Sequence, residues 1–240
     1  LWKKERNLLL RFFKKILFKI VSSSVTYFVT WSSDEITNYT KEFGLAKDKL
    51  IFLPHHCSLD GYDFEVKDWD YIFFGGNSSR DYRTLIEAVR PLNVKTVIAL
   101  TDYSLIKGLD LPRNVEVVSP SPEGFRQLMA QAKMVVIPME EGLLQSAGQQ
   151  TYLNAMMLKK PVIVSDIAGV RDYLEDKITG IIVPPKDVDT LRNAINNVTL
   201  DGVYVKEIVE NAYLKVSREF TLEKFVERNL SLAEKLINAK

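Results

Sequence analysis

The chain is poor in the groups that most often announce a function. Its 240 residues hold one cysteine, Cys57, and two histidines, His55 and His56. A lone cysteine excludes an internal disulfide and fits a reducing compartment, so a cytoplasmic location is expected. Three adjacent side chains cannot easily converge on one ion, so His55, His56 and Cys57 read as a linker with half-buried histidines, and no metal site is expected. No apolar run reaches the ~18–20 residues of a membrane span. The opening also lacks the unbroken apolar stretch and small-residue cleavage site of a secretory signal. Neither GxGxxG nor GxxxxGKS/T occurs, which excludes the dinucleotide fingerprint and the P-loop. No Ser-His-Asp set sits on a recognisable elbow, so hydrolase chemistry has no support. A net charge of +1 argues against a nucleic-acid partner.

What is present is ordinary globular composition, 46% hydrophobic and 26% charged, enough for one large domain or one and a half. The charge is unevenly spread. Residues 1–21 carry seven Lys/Arg and one Glu, net +6, which leaves the remainder at −5. Within them Leu9, Phe12, Phe13, Ile16, Leu17 and Ile20 recur at helical spacing opposite the basic residues. Two readings stand. The helix lies on anionic lipid as a peripheral contact, at the inner face of a membrane. Alternatively it is the last helix of a domain whose remainder is missing. The first residue is Leu1 rather than Met, so a piece of a longer protein is expected.

SVTYFVT (24–30) reads as a strand, a helix capped by Ser32, Ser33 or Asp34 follows and ends at Gly44, and KLIFLP (49–54) is a second strand. Residues 55–70 are polar and irregular. From Tyr71 the chain alternates regularly. Strands are expected at YIFFGG, TVIAL, VEVVS, MVVIP, PVIVSD and GIIVPP. Helices are expected at 79–89, 123–132, 148–159, 169–176, 187–198, 203–218 and 221–239. Short apolar strands alternating with helices predict an α/β fold, a Rossmann-like parallel sheet covered on both faces.

Such sheets bind ligands beyond the carboxyl ends of their strands. The loops there are Gly75-Gly76-Asn77, Ser119-Pro120-Ser121, Pro138 to Gln150 and Asp166 to Gly169. Gly75-Gly76 lets a backbone approach closely. Arg80, expected in the first turn of the next helix, can hold phosphate oxygens in a bidentate pair. Gly148, Gln149, Gln150 and Thr151 open a helix whose free N–H groups suit an anion, and Thr151 adds a hydroxyl. Each signal also has a plain structural reading as a turn, a surface pair or a helix start. Together, at successive strand ends, they point to a nucleotide. Glu140-Glu141 reads equally as a solvated pair or as paired acids.

These residues carry a resemblance. From about Tyr71 to Val198 the chain resembles the donor-binding C-terminal domain of GT-B glycosyltransferases, of the group 1 or family-4-like type. PVIVSDIAGVRDYLEDKITGIIVPPKDVDTLRNAI is the most specific match. YIFFGGNSSRDYRTLIEAV is similar to the segment that grips the diphosphate, and VTWSSDEITNYTKEFG…KLIFLP is similar to the end of the acceptor-binding domain. The resemblance implies residues 1–65 as a remnant of that domain plus linker, and 66–240 as the donor domain. It implies transfer of a sugar from a nucleotide-diphosphate sugar, the substrate, to a lipid-linked or saccharide acceptor, with no metal or other cofactor. Gly75, Gly76 and Arg80 would meet the diphosphate, and Val118, Ser119 and Ser121 would lie along the base. Ser146 and Gly148 to Thr151 would line the sugar-phosphate loop, with Arg80 and Ser146 serving catalysis. The group has two Glu separated by seven residues; here they are Ser146 and Asn154, the latter expected at the ribose. Two other readings remain: a non-catalytic nucleotide-sugar module or subunit of a split transferase, and a membrane-peripheral interaction protein working through Lys3 to Lys19.

Overall fold

The computed structural model describes residues 7–59, 61–67 and 69–238, so Lys3, Lys4 and Arg6 of the basic opening lie outside the described residues. Six parallel strands form the main sheet, in the order β5-β4-β3-β6-β7-β8. They are β3 (Tyr71–Gly75), β4 (Lys95–Ala99), β5 (Val115–Val118), β6 (Met134–Ile137), β7 (Val162–Ser165) and β8 (Ile181–Val183). The central strands β3, β6 and β7 are buried on both sides because alternate residues feed two separate cores. Phe73, Ala99, Val135, Ile137 and Val164 enter one. Ile72, Phe74, Ile98, Val136 and Ile163 enter the other. This is why the strands read as unbroken apolar runs. The first core packs beneath α4 (Pro122–Gln131), α5 (Gln149–Met157) and α7 (Gly202–Glu219), and the second beneath α3 (Tyr82–Val89) and α6 (Val188–Leu200).

The strand order reverses between β3 and β6, the first two strands to run outward in opposite directions. That switch point opens a crevice between the loops after their carboxyl ends. Arg80 and Met139 bridge those two loops.

A smaller unit precedes the sheet. β1 (Phe28–Thr30) and β2 (Leu50–Phe52) pair in parallel around α2 (Ser33–Phe43). Ser32 caps α2 through its hydroxyl, and Gly44 ends it in a left-handed conformation, as the capping pattern predicts. α1 (Leu8–Ser24) leans on α2 through Phe18 stacked on Phe43, and through Arg11 paired with Glu42 at 2.7 Å. No residue of α1 is buried, and Leu9, Phe12, Phe13, Ile16, Leu17 and Ile20 are all exposed. No described helix is long and apolar enough to cross a membrane.

Two local expectations need correction. The expected helix at 169–176 is one short turn, Val170–Asp172. Gly169 and Gly180 bracket a segment whose Thr179 and Asp176 side chains take backbone N–H groups instead. The described residues of 55–70 are irregular as expected, but Cys57 and Leu59 are buried in the core under the sheet. The segment is therefore packed structure and not a free tether.

The two units meet at the start of α2. Asp172 accepts from the backbone N–H and the hydroxyl of Ser33 at 2.8 and 2.7 Å, placing a carboxylate at a helix N-terminus. Asp34 in return accepts the Gly169 N–H at 2.9 Å. Gly169 has φ +84°, and a Cβ there would stand 2.5 Å from Ser32 Cβ and 2.7 Å from Ser146 Cβ. Gly169→Ala combines left-handed strain with a backbone-level clash, so it should cost about 2–4 kcal/mol. Urea unfolding is the check. A loss under about 0.5 kcal/mol would mean that the small unit does not depend on this contact.

Candidate functional site

The crevice at the switch point holds a cleft of 260 Å³, lined among others by Trp31, His55, Ser78, Arg80, Ser146 and Thr151. Its floor is built by Arg80. Sequence places this residue in the first turn of α3, but α3 starts at Tyr82 with Asp81 as its cap. Asp81 takes over the cap because its carboxylate accepts the Thr84 N–H and hydroxyl. Arg80 is thereby left in the loop and turns inward, only 8% exposed. Nε donates to the Gly75 carbonyl at 2.8 Å, Nη1 to the Ser78 carbonyl at 3.1 Å, and Nη2 to the Thr151 hydroxyl at 3.0 Å. Burial pulls its pKa down to about 10, so it is still a cation at neutral pH. No carboxylate pairs with it among the described residues. A buried charge held by carbonyls, a hydroxyl and the Met139 thioether keeps most of its attraction for an incoming anion.

Beside the guanidinium lies the start of α5, whose Thr151 it contacts. Gly148 is its N-cap at φ +87°, and no side chain caps the helix. An uncapped N-terminus presents N–H groups and the positive end of the helix dipole. The need for glycine at 148 is conformational: a Cβ would lie an ordinary 3.5 Å from Arg80 Nη1. At Gly76 the need is steric as well, since φ is +106° and a Cβ would come within 3.0 Å of Arg80 Nη2. Gly75 is held bare by a different neighbour, the Phe125 ring, 2.5 Å from where its Cβ would be.

The cleft unites six residues expected from sequence: Arg80, Ser146, Gly148, Gln149, Gln150 and Thr151. Gly75 stands behind them, through its carbonyl on Arg80. Gly76 lines an adjacent cavity of 190 Å³ with Asn77, Thr101, Pro120 and Phe125. Val118, Ser119, Ser121 and Asn154 line neither cavity. Ser121 instead caps α4. Asn154 is 4% exposed, and its amide is taken up by the Ser58 N–H at 2.9 Å, Gln150 Nε2 at 3.1 Å and the Ser58 hydroxyl at 3.2 Å. Glu141 is exposed and pairs with Lys186 at 3.3 Å, a solvated arrangement.

Four residues of the site had no functional reading in the sequence. Glu35, 1% exposed on α2, accepts the Ser146 N–H at 2.7 Å and also its hydroxyl. Trp31 and His55 form the wall contributed by the small unit, with ring centroids 4.1 Å apart. Tyr173 ties them together: its hydroxyl donates to the Trp31 carbonyl and accepts the His55 N–H at 2.9 Å. Burial raises the Tyr173 phenol well above its ordinary value, so it stays a donor. The rings of His55 and His56 and the thiol of Cys57 each hold a contact inside the protein. The described residues contain no group of three His, Cys, Asp or Glu able to hold a metal ion.

The matching family model, described as glycosyl transferases group 1, covers residues 70–201, and the chain belongs to that family. An uncharacterized glycosyltransferase of Methanocaldococcus jannaschii is 22% identical over 213 residues, 85% of this chain and 50% of the relative. A solved glycosyltransferase from Rickettsia africae superposes with TM-score 0.76 at 18% identity, over 95% of this chain and 68% of that one. Anabaena HepE, solved with UDP and glucose, superposes with TM-score 0.74 at 16% identity, over 94% and 67%. These likenesses show the fold, a Rossmann-like parallel sheet flanked by helices as in GT-B glycosyltransferases. The chain spans only 14% to 50% of the length of the curated relatives it matches.

Burial lowers the His55 pKa to about 4 from 6.5, against a smaller upward pull from its backbone contact with His56. The folded state thus binds this proton less readily than the unfolded chain. The stability this reflects is full above pH 6.5 and lost as pH falls toward about 4. With allowance for screening of a part-exposed ring, the loss is on the order of 1 kcal/mol. Urea unfolding from pH 7 to 4 should show wild type losing that much more than His55→Gln. Parallel profiles would mean that His55 titrates alike in both states.

Proposed function

We propose that this chain is the donor-binding part of a glycosyltransferase that moves a sugar from a nucleotide-diphosphate sugar to an acceptor. Residues 66–240 are read as the donor domain, and 1–65 as a remnant of the acceptor domain plus linker. One observation carries the proposal: the buried Arg80 guanidinium has no carboxylate partner and faces the uncapped start of α5 at the switch point. A diphosphate is the ligand such a site balances best.

Breaking the bond between the anomeric carbon and the diphosphate oxygen leaves new negative charge on that oxygen. Arg80, the Thr151 hydroxyl and the α5 N–H groups are preorganised to receive it, which is electrostatic transition-state stabilisation without a metal. Ser146, held by Glu35 and receiving the Gln149 amide, would set the sugar side of the loop. UDP is the first nucleotide to try, because Anabaena HepE was solved with it. The acceptor is read as saccharide or lipid-linked. The exposed apolar residues of α1, alongside Lys14, Lys15 and Lys19, support a peripheral contact at the inner face of a membrane.

A second reading, a nucleotide-sugar-binding subunit of a split transferase, has one observation in its favour. Ser146 and Asn154, at the positions of the family's paired Glu, bond other residues of the protein.

Calorimetry with UDP, GDP and ADP tests the nucleotide site. One of them should bind, and Arg80→Lys should weaken it by about 1–3 kcal/mol while keeping a buried cation. Equal affinity would remove Arg80 from the phosphate. Release of nucleotide diphosphate from a donor sugar separates the two readings, since a binding subunit alone gives none. For the membrane contact, flotation with anionic liposomes should be lost when Lys14, Lys15 and Lys19 become Glu; persistence would refute it.

A further inference from the structure

Sequence assigns His55 to a linker, and the donor-site reading above makes no use of it. The structure gives it an unusual set of constraints. It lines the same cleft as Arg80 and the start of α5. Its Nδ1 accepts the His56 backbone N–H at 2.8 Å. The His56 carbonyl is 3.0 Å from the same nitrogen, but an amide N–H can only donate, so the shorter contact sets the tautomer. The neutral ring therefore carries its proton on Nε2. That nitrogen has no hydrogen-bond partner among the described residues, and it is not sealed from solvent. It opens on the cleft or on solvent.

The ring is also held in place. Trp31 packs 4.1 Å from it, Phe225 stands 6.5 Å from both rings, and the His55 backbone N–H is anchored on Tyr173. A side chain packed against Trp31 and anchored at its backbone and its Nδ1 loses little further freedom on binding, so a contact it makes keeps most of its worth. Burial and the neighbouring His56 both disfavour its charged form. The cleft is thus lined by a packed, neutral imidazole with its proton on Nε2.

We infer that His55 is a second anion contact of the cleft, a neutral Nε2–H donor that binds a nucleotide-diphosphate oxygen from the wall contributed by the small unit. This rests on the diphosphate reading of the site and adds a residue to it. The consequence is structural as well as chemical. Arg80 and α5 belong to the six-stranded unit, whereas His55 and Trp31 follow the small unit's strands. A diphosphate held by both would tie the units together across the crevice.

The test is calorimetric, on the full chain. UDP, GDP and ADP are titrated into wild type, and the nucleotide that binds is titrated into His55→Gln and His55→Leu. Gln keeps a neutral N–H donor and should bind within about twofold of wild type. Leu removes the donor and should bind about 5–10-fold more weakly, the scale of one hydrogen bond. Wild-type affinity in a folded His55→Leu overturns the inference, as does a His55→Gln that binds no better than His55→Leu. Nitrogen-edited NMR of the imidazoles needs no variant. Saturating nucleotide should shift the His55 Nε2–H signal and slow its exchange with water, and an unmoved signal overturns the inference. If wild type binds none of the three nucleotides, the diphosphate reading falls and this inference falls with it. If Arg80→Lys weakens binding and His55→Leu does not, only this inference falls.

Discussion

The structure turns on one buried cation. Taking a guanidinium out of water is costly, and most proteins offset the cost with a carboxylate. Here Arg80 has only carbonyls, a thioether and a hydroxyl around it. The loops after β3 and β6 are shaped to allow this. Gly76 leaves room beside the guanidinium, Ser79 adopts a left-handed φ of 55° to bring the loop round, and Asp81 caps α3 in its place. Carbonyl dipoles solvate the charge without neutralising it. The site is therefore left with unbalanced positive potential, reinforced by the uncapped start of α5.

The same crevice is where the small unit docks, and the two facts are connected. Ser146 belongs to the loop that leads into α5, and its backbone and hydroxyl are held by Glu35 from α2. Gly169 makes close packing of Ser32 on Ser146 possible. Tyr173, four residues on, fixes the backbones of Trp31 and His55. One short stretch after β7 thus sets both the position of the small unit and one wall of the cleft. The family membership and the fold place a nucleotide-sugar reading on this crevice, and the charge balance of Arg80 gives that reading a physical basis.

The parallel sheet was legible because its cause is local. Strands buried on both faces must be apolar throughout, and YIFFG, MVVI and VIVS have no other stable use between helices. The Gly-Gly turn and the glycine at the mouth of α5 were legible for a similar reason, since positive φ is nearly reserved for glycine. The orientation of Arg80 was not legible. Whether Asp81 or an earlier residue caps α3 decides if the arginine faces solvent or the interior, and both patterns look acceptable in sequence. The surroundings of Asn154 were not legible either: its spacing from Ser146 is that of the family, but its amide is engaged by Ser58 and Gln150.

By itself, then, the sequence determined the alternation of strands and helices, the reversal of the backbone at its glycines and the identity of one arginine near two of them. These follow from side-chain periodicity and backbone sterics over a few residues. Only the tertiary structure decided that Arg80 would be buried without a counter-charge. It alone brought Glu35 to Ser146 across 111 residues of chain, and Tyr173 to Trp31 across 142. Contacts of that span leave no periodic trace, because they arise when two separately formed units pack. A histidine in a polar linker becomes part of the site only when that packing closes the cleft around it.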